Sequence, residues 1–191
     1  MQPYSALVTE HFLKPRNVGE LATDAFVGRA GSMTCGATLR VSLSIDQSRR
    51  IAEAKFKAAG CSFLVAAASF LTDEIKGEVS GEVAALMQSH ANSISQALGE
   101  IPAEKAHCVA LVCEAVLAAI TSYSDSMRHE WHGDEALICT CFCVSERTIE
   151  SAIEAGGLRT IAEVTKACNA GGGCRSCYSL IEDILASAER L

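Results

Sequence analysis

Ten cysteines in a chain of 191 residues, at positions 35, 61, 108, 113, 139, 141, 143, 168, 174 and 177, constrain this sequence more than any other feature. Glu10, His11 and Lys14 follow soon after Met1, so no apolar leader is expected there and the expected location is cytoplasmic. In that reducing compartment thiols are kept for metals or for chemistry rather than for disulfides. Six of the ten fall after residue 138, so the metal question arises separately for each part of the chain. The net charge of −7 is spread thinly: residues 1–120 carry 10 basic and 12 acidic groups, 121–138 carry 1 and 4, and 139–191 carry 5 and 7. Without a basic patch, a nucleic-acid partner is not expected. The most apolar stretch, Ala58 to Thr72, has 15 residues, fewer than the roughly 20 of a membrane span, so no membrane is expected either. Apolar residues make up 49%, enough for a sizeable core in one or two domains.

The pattern along the chain changes period several times. Leu7, Val8 and Phe12 recur one turn apart between Ser5 and Leu13, and Pro15, Asn17 and Gly19 follow, which predicts a short helix. Residues 37–45 then alternate strictly, with Ala37, Leu39, Val41, Leu43 and Ile45 on one face. Residues 52–58 alternate as well, and the polar run from Asp46 to Arg50 joins the two as an antiparallel hairpin. A further strand is expected near Phe26–Ala30. Ala/Leu-rich stretches at 62–76, 82–98 and 107–120 predict helices, broken at Lys76-Gly77 and at Gly99 with Pro102. Residues 121–138 are polar and acidic and predict a linker, in which His129 and His132 are solvated beside Trp131. Beyond it Ser145 caps a helix bearing Ile149 and Ile153 that stops at Gly156-Gly157. Thr160 and Glu163 form a capping box for the next helix, which Gly171–Gly173 ends. A last helix carries Leu180, Ile181, Ile184, Leu185 and Ala188.

Strand register makes a statement about the first cysteines. Opposed residues of an antiparallel pair have a constant sum of numbers, and facing partners share one face. The apolar faces are odd-numbered in 37–45 and even-numbered in 52–58, and the turn centres near 48, so the sum is 95 or 97. Either value puts Cys35 opposite residue 60 or 62, beside Cys61. Cys108 opens the 107–120 helix, where the helix dipole favours a thiolate, and His107 is a candidate fourth ligand. Three thiolates and an imidazole suit four-coordinate zinc or an iron–sulfur cluster; free cysteines serving as small apolar residues are the plain alternative. Cys113, five residues on, falls off the Cys108 face and reads as core.

The second set lies in a unit of about 50 residues, too small for a large core and therefore suited to a metal staple. Cys139-Thr140-Cys141 and Cys174-Arg175-Ser176-Cys177 supply four thiolates, enough for a [2Fe–2S] cluster or for structural zinc. Cys143 makes a rival pair with Cys141, and Cys168 competes with Cys174.

Two groups of residues carry a family resemblance. Tyr4-Ser5, Val8, His11-Phe12 and Pro15-Arg16-Asn17-Val18-Gly19, then Cys35-Gly36, Phe56-Lys57 with Gly60-Cys61, and Lys105-Ala106-His107-Cys108, resemble the NifU/IscU-type iron–sulfur cluster assembly scaffolds over residues 2–122. Ala37 stands where that family usually has an aspartate. Ile138 to Phe142 and Ala170 to Cys177 resemble the bacterioferritin-associated-ferredoxin-type (BFD-like) [2Fe–2S] domain over 138–186. The resemblance implies an α+β scaffold domain over 1–122, with helices on a small antiparallel sheet, a linker over 123–137, and a small all-α [2Fe–2S]-binding domain over 138–191. It implies a transient cluster or zinc on Cys35, Cys61 and Cys108, with His107 as the added candidate. A permanent [2Fe–2S] cluster would sit on Cys139, Cys141, Cys174 and Cys177, leaving Cys143 and Cys168 as bystanders. The implied partners are a cysteine desulfurase of the NifS/IscS kind, apo iron–sulfur acceptor proteins and a second copy of the chain as a homodimer. The chain would be a short NifU-like scaffold and not an enzyme. A ferredoxin-like redox or regulatory protein, its N-terminal half only a binding module, is the alternative, and a zinc-stabilised interaction protein is a third.

Overall fold

Alternation over residues 37–45 and 52–58 becomes the centre of the N-terminal half. In the computed structural model, which describes residues 4–22, 25–89, 91–99, 101–133 and 135–188, strands β1 (Phe26–Gly31), β2 (Thr38–Ile45) and β3 (Ile51–Ala59) form an antiparallel sheet in the order β1-β2-β3. Leu39 faces Ala58, Val41 faces Phe56 and Leu43 faces Ala54, so the register sum is 97, one of the two values that the face-matching argument allows. The register slips by one between Ser44 and Ile45, where a bulge closes the hairpin. Val41, Leu43, Phe56 and Ala54 lie on the buried face.

That face is covered by α5 (Ala106–Glu130) and by α2 (Ser62–Glu74), with α1 (Ala6–Leu13) against α2. Close contact between α5 and the sheet depends on Gly28. A Cβ there would lie 1.9 Å from the Ala115 carbonyl oxygen, and Ala115 and Ala119 present the small side of the helix. Ser5 caps α1 by accepting the Val8 N–H at 3.1 Å. The inward residues of α1 are Val8 and His11, not Phe12, which is 42% exposed. Eight residues give the helix only two turns, and its buried stripe runs through the histidine.

Two boundaries in this half differ from the sequence expectation. The stretch 82–98 divides into α3 (Ser80–Ser89) and α4 (Ala91–Ala97). The expected linker is mostly helix, because α5 continues from 120 to Glu130. Ala119, Ile120, Tyr123 and Ser124 are buried there, and the Tyr123 ring meets Phe26 edge-on at 5.1 Å. A polar, acidic sequence can still be helical when one face has something to pack on. The most extended apolar segment is therefore α5, long and apolar enough to cross a membrane by length and composition alone, yet much of it is buried between sheet and helices.

The C-terminal part is helical, as expected, with an unforeseen two-stranded ribbon of β4 (Leu137–Cys139) and β5 (Val144–Ser145). Ser145 caps α6 (Glu146–Gly156), Gly157 closes it in the left-handed region, and Thr160 and Glu163 form the capping box of α7 (Ile161–Cys168). Helix α7 ends at Asn169, φ 64°, before the glycines that were expected to end it. In α8 (Tyr178–Ala188) Ile181, Ile184 and Leu185 are buried, whereas Leu180 is 47% exposed. One hydrophobic core runs through both parts of the chain.

Candidate metal centres

Three separate elements deliver the first thiols. Cys35 lies in the turn before β2, Cys61 is the N-cap of α2, and Cys108 is in the first turn of α5. Cys61 and Cys108 Sγ are 3.5 Å apart. His107 Nε2 lies 3.6 Å from Cys108 Sγ and 3.7 Å from Cys35 Sγ, and its Nδ1 is 2.9 Å from the Glu104 carbonyl. The second nitrogen is thus held by the backbone, which leaves Nε2 aimed at the sulfurs. Cys108 is buried, Cys61 half-buried and Cys35 exposed. Exposure is thus graded across the site, from Cys108 through Cys61 to Cys35.

Electrostatics grade the three thiols. Hydrogen bonds from the Ser32 side chain and the Ala37 N–H, then from His107, lower Cys35 to about 7. At Cys61 burial opposes ionisation, but the Leu64 N–H, the Cys108 thiol and the Phe63 N–H outweigh it and the value is lowered. Burial first, and then Cys61, push Cys108 up to about 12. Burial therefore opposes the α5 dipole at Cys108, where the sequence expectation has the dipole favour a thiolate, and of the two neighbours Cys61 is the one shifted toward ionisation. Ala37 belongs to the apolar face expected of residues 37–45. Gly36, φ 68°, turns the chain between Cys35 and the strand; Cys35 is exposed and Ala37 is 5% exposed in the core. Ser32 had no sequence signal, since it lies outside any regular element and bonds through a turn.

The C-terminal thiols form two pairs, each joining one cysteine of the first motif to one of the second. In the outer pair Cys141 Sγ donates to Cys174 Sγ at 3.4 Å, and the Cys174 N–H donates back to Cys141 Sγ at 3.5 Å. The inner pair, Cys139 and Cys177, is buried. A hydrogen bond from Cys177 and the Gly171 N–H, against burial, lower Cys139 to about 6, and the same contact with burial pushes Cys177 far up. The Ser176 hydroxyl, 2.7 Å from Cys174 Sγ, lowers Cys174, while burial raises Cys141. Two pairs of sulfurs match the two irons of a [2Fe–2S] cluster, two ligands each. Gly173 is needed for this approach, because a Cβ there would stand 2.7 Å from Cys141 Sγ. Cys168 donates to the Val164 carbonyl inside α7, and Cys143 sits in the ribbon turn at φ 50°.

Among the described residues no three such side chains already surround a single point as ion ligands. The thiols pair instead, at 3.4–3.5 Å. Tetrahedral ligation at about 2.3 Å per bond would hold two sulfurs about 3.8 Å apart, so small rotations suffice. The two sites are well separated. Ser124 and Arg128 on α5 line a crevice with Cys141 and Cys174. At about 1.5 Å per residue, that end of the helix is about 24 Å from Cys108.

Comparison with known proteins agrees with both halves. Residues 3–130 match the family described as NifU-like N terminal domain, and residues 137–187 match the BFD-like [2Fe-2S] binding domain. The nitrogen fixation protein NifU of Azotobacter chroococcum mcd 1 is 34% identical over 187 residues, 97% of this chain and 60% of that protein. The NifU of Trichormus azollae is 35% identical over 194 residues, 97% and 64%. The iron–sulfur cluster assembly scaffold protein IscU of Haemophilus influenzae is 35% identical over 123 residues, covering 63% of this chain and 94% of IscU. The N-terminal part of a NifU-like protein from Brucella abortus has the same fold, with a TM-score of 0.53 at 17% identity over 63% of this chain and 94% of that one. The chain spans about 60–64% of the length of these NifU relatives. With its NifU-like domain and its BFD-like [2Fe–2S] domain in one continuous chain, this protein belongs to the NifU family.

Proposed function

We propose that the chain is an iron–sulfur cluster assembly scaffold. It builds a transient cluster from iron and from sulfur that a cysteine desulfurase supplies, holds it on Cys35, Cys61 and Cys108, and passes it to apo-acceptor proteins. The observation that carries this reading is the meeting of three thiols and His107 from positions up to 73 residues apart, linked by contacts of 3.5–3.7 Å. Cargo must arrive and leave, and the graded exposure from Cys108 to Cys35 suits that. His107 is the candidate fourth donor, offering Nε2. Cys139, Cys141, Cys174 and Cys177 hold a resident [2Fe–2S] cluster, whose chemistry is one-electron exchange. The chain acts in the cytoplasm as a homodimer, with its scaffold domain over residues 3–130 and its ferredoxin-like domain over 137–187. It does no catalysis of its own.

The test is anaerobic loading of the full chain with ferrous iron, a desulfurase, cysteine and a thiol reductant that reduces the persulfide sulfur to sulfide. A second, labile cluster should form and move to an apo-ferredoxin. A Cys35→Ser, Cys61→Ser, Cys108→Ser variant that assembles and transfers as well as the parent would sink the reading.

A further inference from the structure

The loop that carries Cys174 is held from outside its own domain. Asn169 is fully buried at the left-handed end of α7. Its side-chain oxygen accepts the Gly81 N–H at 3.2 Å, and its amide nitrogen donates to Ser80 Oγ at 3.2 Å. Ser80 and Gly81 open α3, where backbone N–H groups have no partner within the helix. Asn169 therefore caps α3 from the other half of the chain.

Around this contact the halves meet backbone to backbone. A Cβ on Gly172 would stand 2.4 Å from Gly81 Cα, and one on Gly81 would stand 2.8 Å from Asn169 Oδ1. Gln88 Nε2 donates to the Gly173 carbonyl at 2.9 Å, Arg175 donates to the Ala85 carbonyl at 2.7 Å, and Arg49 of the β2–β3 turn donates to the Cys168 carbonyl. The opposite side of the same short loop presents the Gly171 N–H to Cys139 and the Cys174 N–H to Cys141 Sγ.

We propose that the N-terminal half is a working part of the C-terminal [2Fe–2S] site. The start of α3, through Ser80, Gly81 and Gln88, holds loop 169–175 in the shape that presents Cys174 and the N–H groups to sulfur, with Asn169 as the positioning residue. The inference rests on reading Cys139, Cys141, Cys174 and Cys177 as the ligands. Linkage makes the effect reciprocal: whatever the seam adds to cluster retention, retention of the cluster adds to the seam. The scaffold half thus senses whether the ferredoxin-like half is loaded, although the two thiol sites lie far apart.

The experiment uses the full chain and substitutions that replace none of the ten cysteines. Gly81→Ala keeps α3, since alanine favours a helix over glycine, but wedges the seam. Asn169→Ala removes both buried bonds. The exposed Gln88→Ala, which cannot plausibly unfold the chain, removes only the bond to Gly173. Iron and sulfide are assayed, loss of visible absorbance to a chelator is timed, and amide exchange of α3 is followed with and without the cluster. Gly81→Ala and Asn169→Ala should release the cluster about tenfold faster than the parent, and Gln88→Ala about threefold. Stripping the parent should speed exchange across the first turn of α3. Parent-like release from all three variants overturns the proposal while the ligand reading stands. A parent that contains zinc and no sulfide overturns the ligand reading and the proposal with it.

Discussion

Cys61 and Cys108, separated by 47 residues, place their sulfur atoms 3.5 Å apart. One caps α2 and the other lies in the first turn of α5, so two helix starts converge on one point. Two thiols at that distance cannot both ionise without strong repulsion unless a metal ion takes the place of their protons. Cys61→Ser or Cys108→Ser should therefore abolish the labile cluster. The resident iron and sulfide, about two of each, should remain, since the second site is at the far end of α5. Iron and sulfide assays on the reconstituted chain check this.

In the C-terminal half, serine at Cys139, Cys141, Cys174 or Cys177 should remove most of the resident cluster. Cys143→Ser and Cys168→Ser should leave it in place, because neither sulfur belongs to the inner or outer pair. Visible absorbance of the anaerobically purified full chain distinguishes the two groups. Loss of the cluster from Cys168→Ser but not Cys174→Ser would reassign the outer ligand.

Acid should weaken the N-terminal half through His11. The ring is 2% exposed, stands edge-on to Phe70 at 5.6 Å, and has Nδ1 2.9 Å from Ser69 Oγ. Burial first, and then the Arg16 charge, lower its pKa below the ordinary 6.5. The unfolded chain therefore binds a proton at a pH where the folded one does not. Stability is intact above 6.5, falls as the pH drops below it, and levels off once the folded ring is charged. Denaturant midpoints between about pH 7.5 and pH 5 should fall less in His11→Gln than in the parent.

Ala37→Asp should act on stability before it acts on the cluster. The side chain is 5% exposed beside Leu39, and its Cβ lies 3.2 Å from where a Gly60 Cβ would be. A carboxylate there is either desolvated or forces the strand end outward, at a cost of about 2–4 kcal/mol. What residue 37 does for Cys35 it does through its backbone N–H, which the substitution keeps. The melting temperature of the metal-free protein should drop, and a variant that melts with the parent but transfers its cluster faster would contradict this.

Much of the N-terminal half was legible because its signals are local. Alternation places Val41 against Phe56, and parity of the two faces narrows the register to two choices, of which the bulge at Ile45 decides one. Ser145 and Thr160 announce helix starts through bonds that span only three residues. Phe12 misled because a two-turn helix has too few residues for its buried stripe to be read from periodicity. The stretch 121–130 misled because its polar face was legible and its packing partner, Phe26, was almost 100 residues away.

The sequence alone determined the two thiol sets and the hairpin that leads to Cys61, which follow from spacing and period, while the order of the two domains came from the family resemblance of its motifs. Tertiary structure alone decided in which direction each thiol of a pair is shifted, since that depends on depth below the surface and on N–H groups from distant loops. It also decided that Asn169 caps α3. Nothing in the run Cys168-Asn169-Ala170-Gly171 says whose backbone the amide will meet. That bond exists only because both halves bury their apolar faces in one core, which brings Ser80 and Gly81 within reach of a residue 88 positions away.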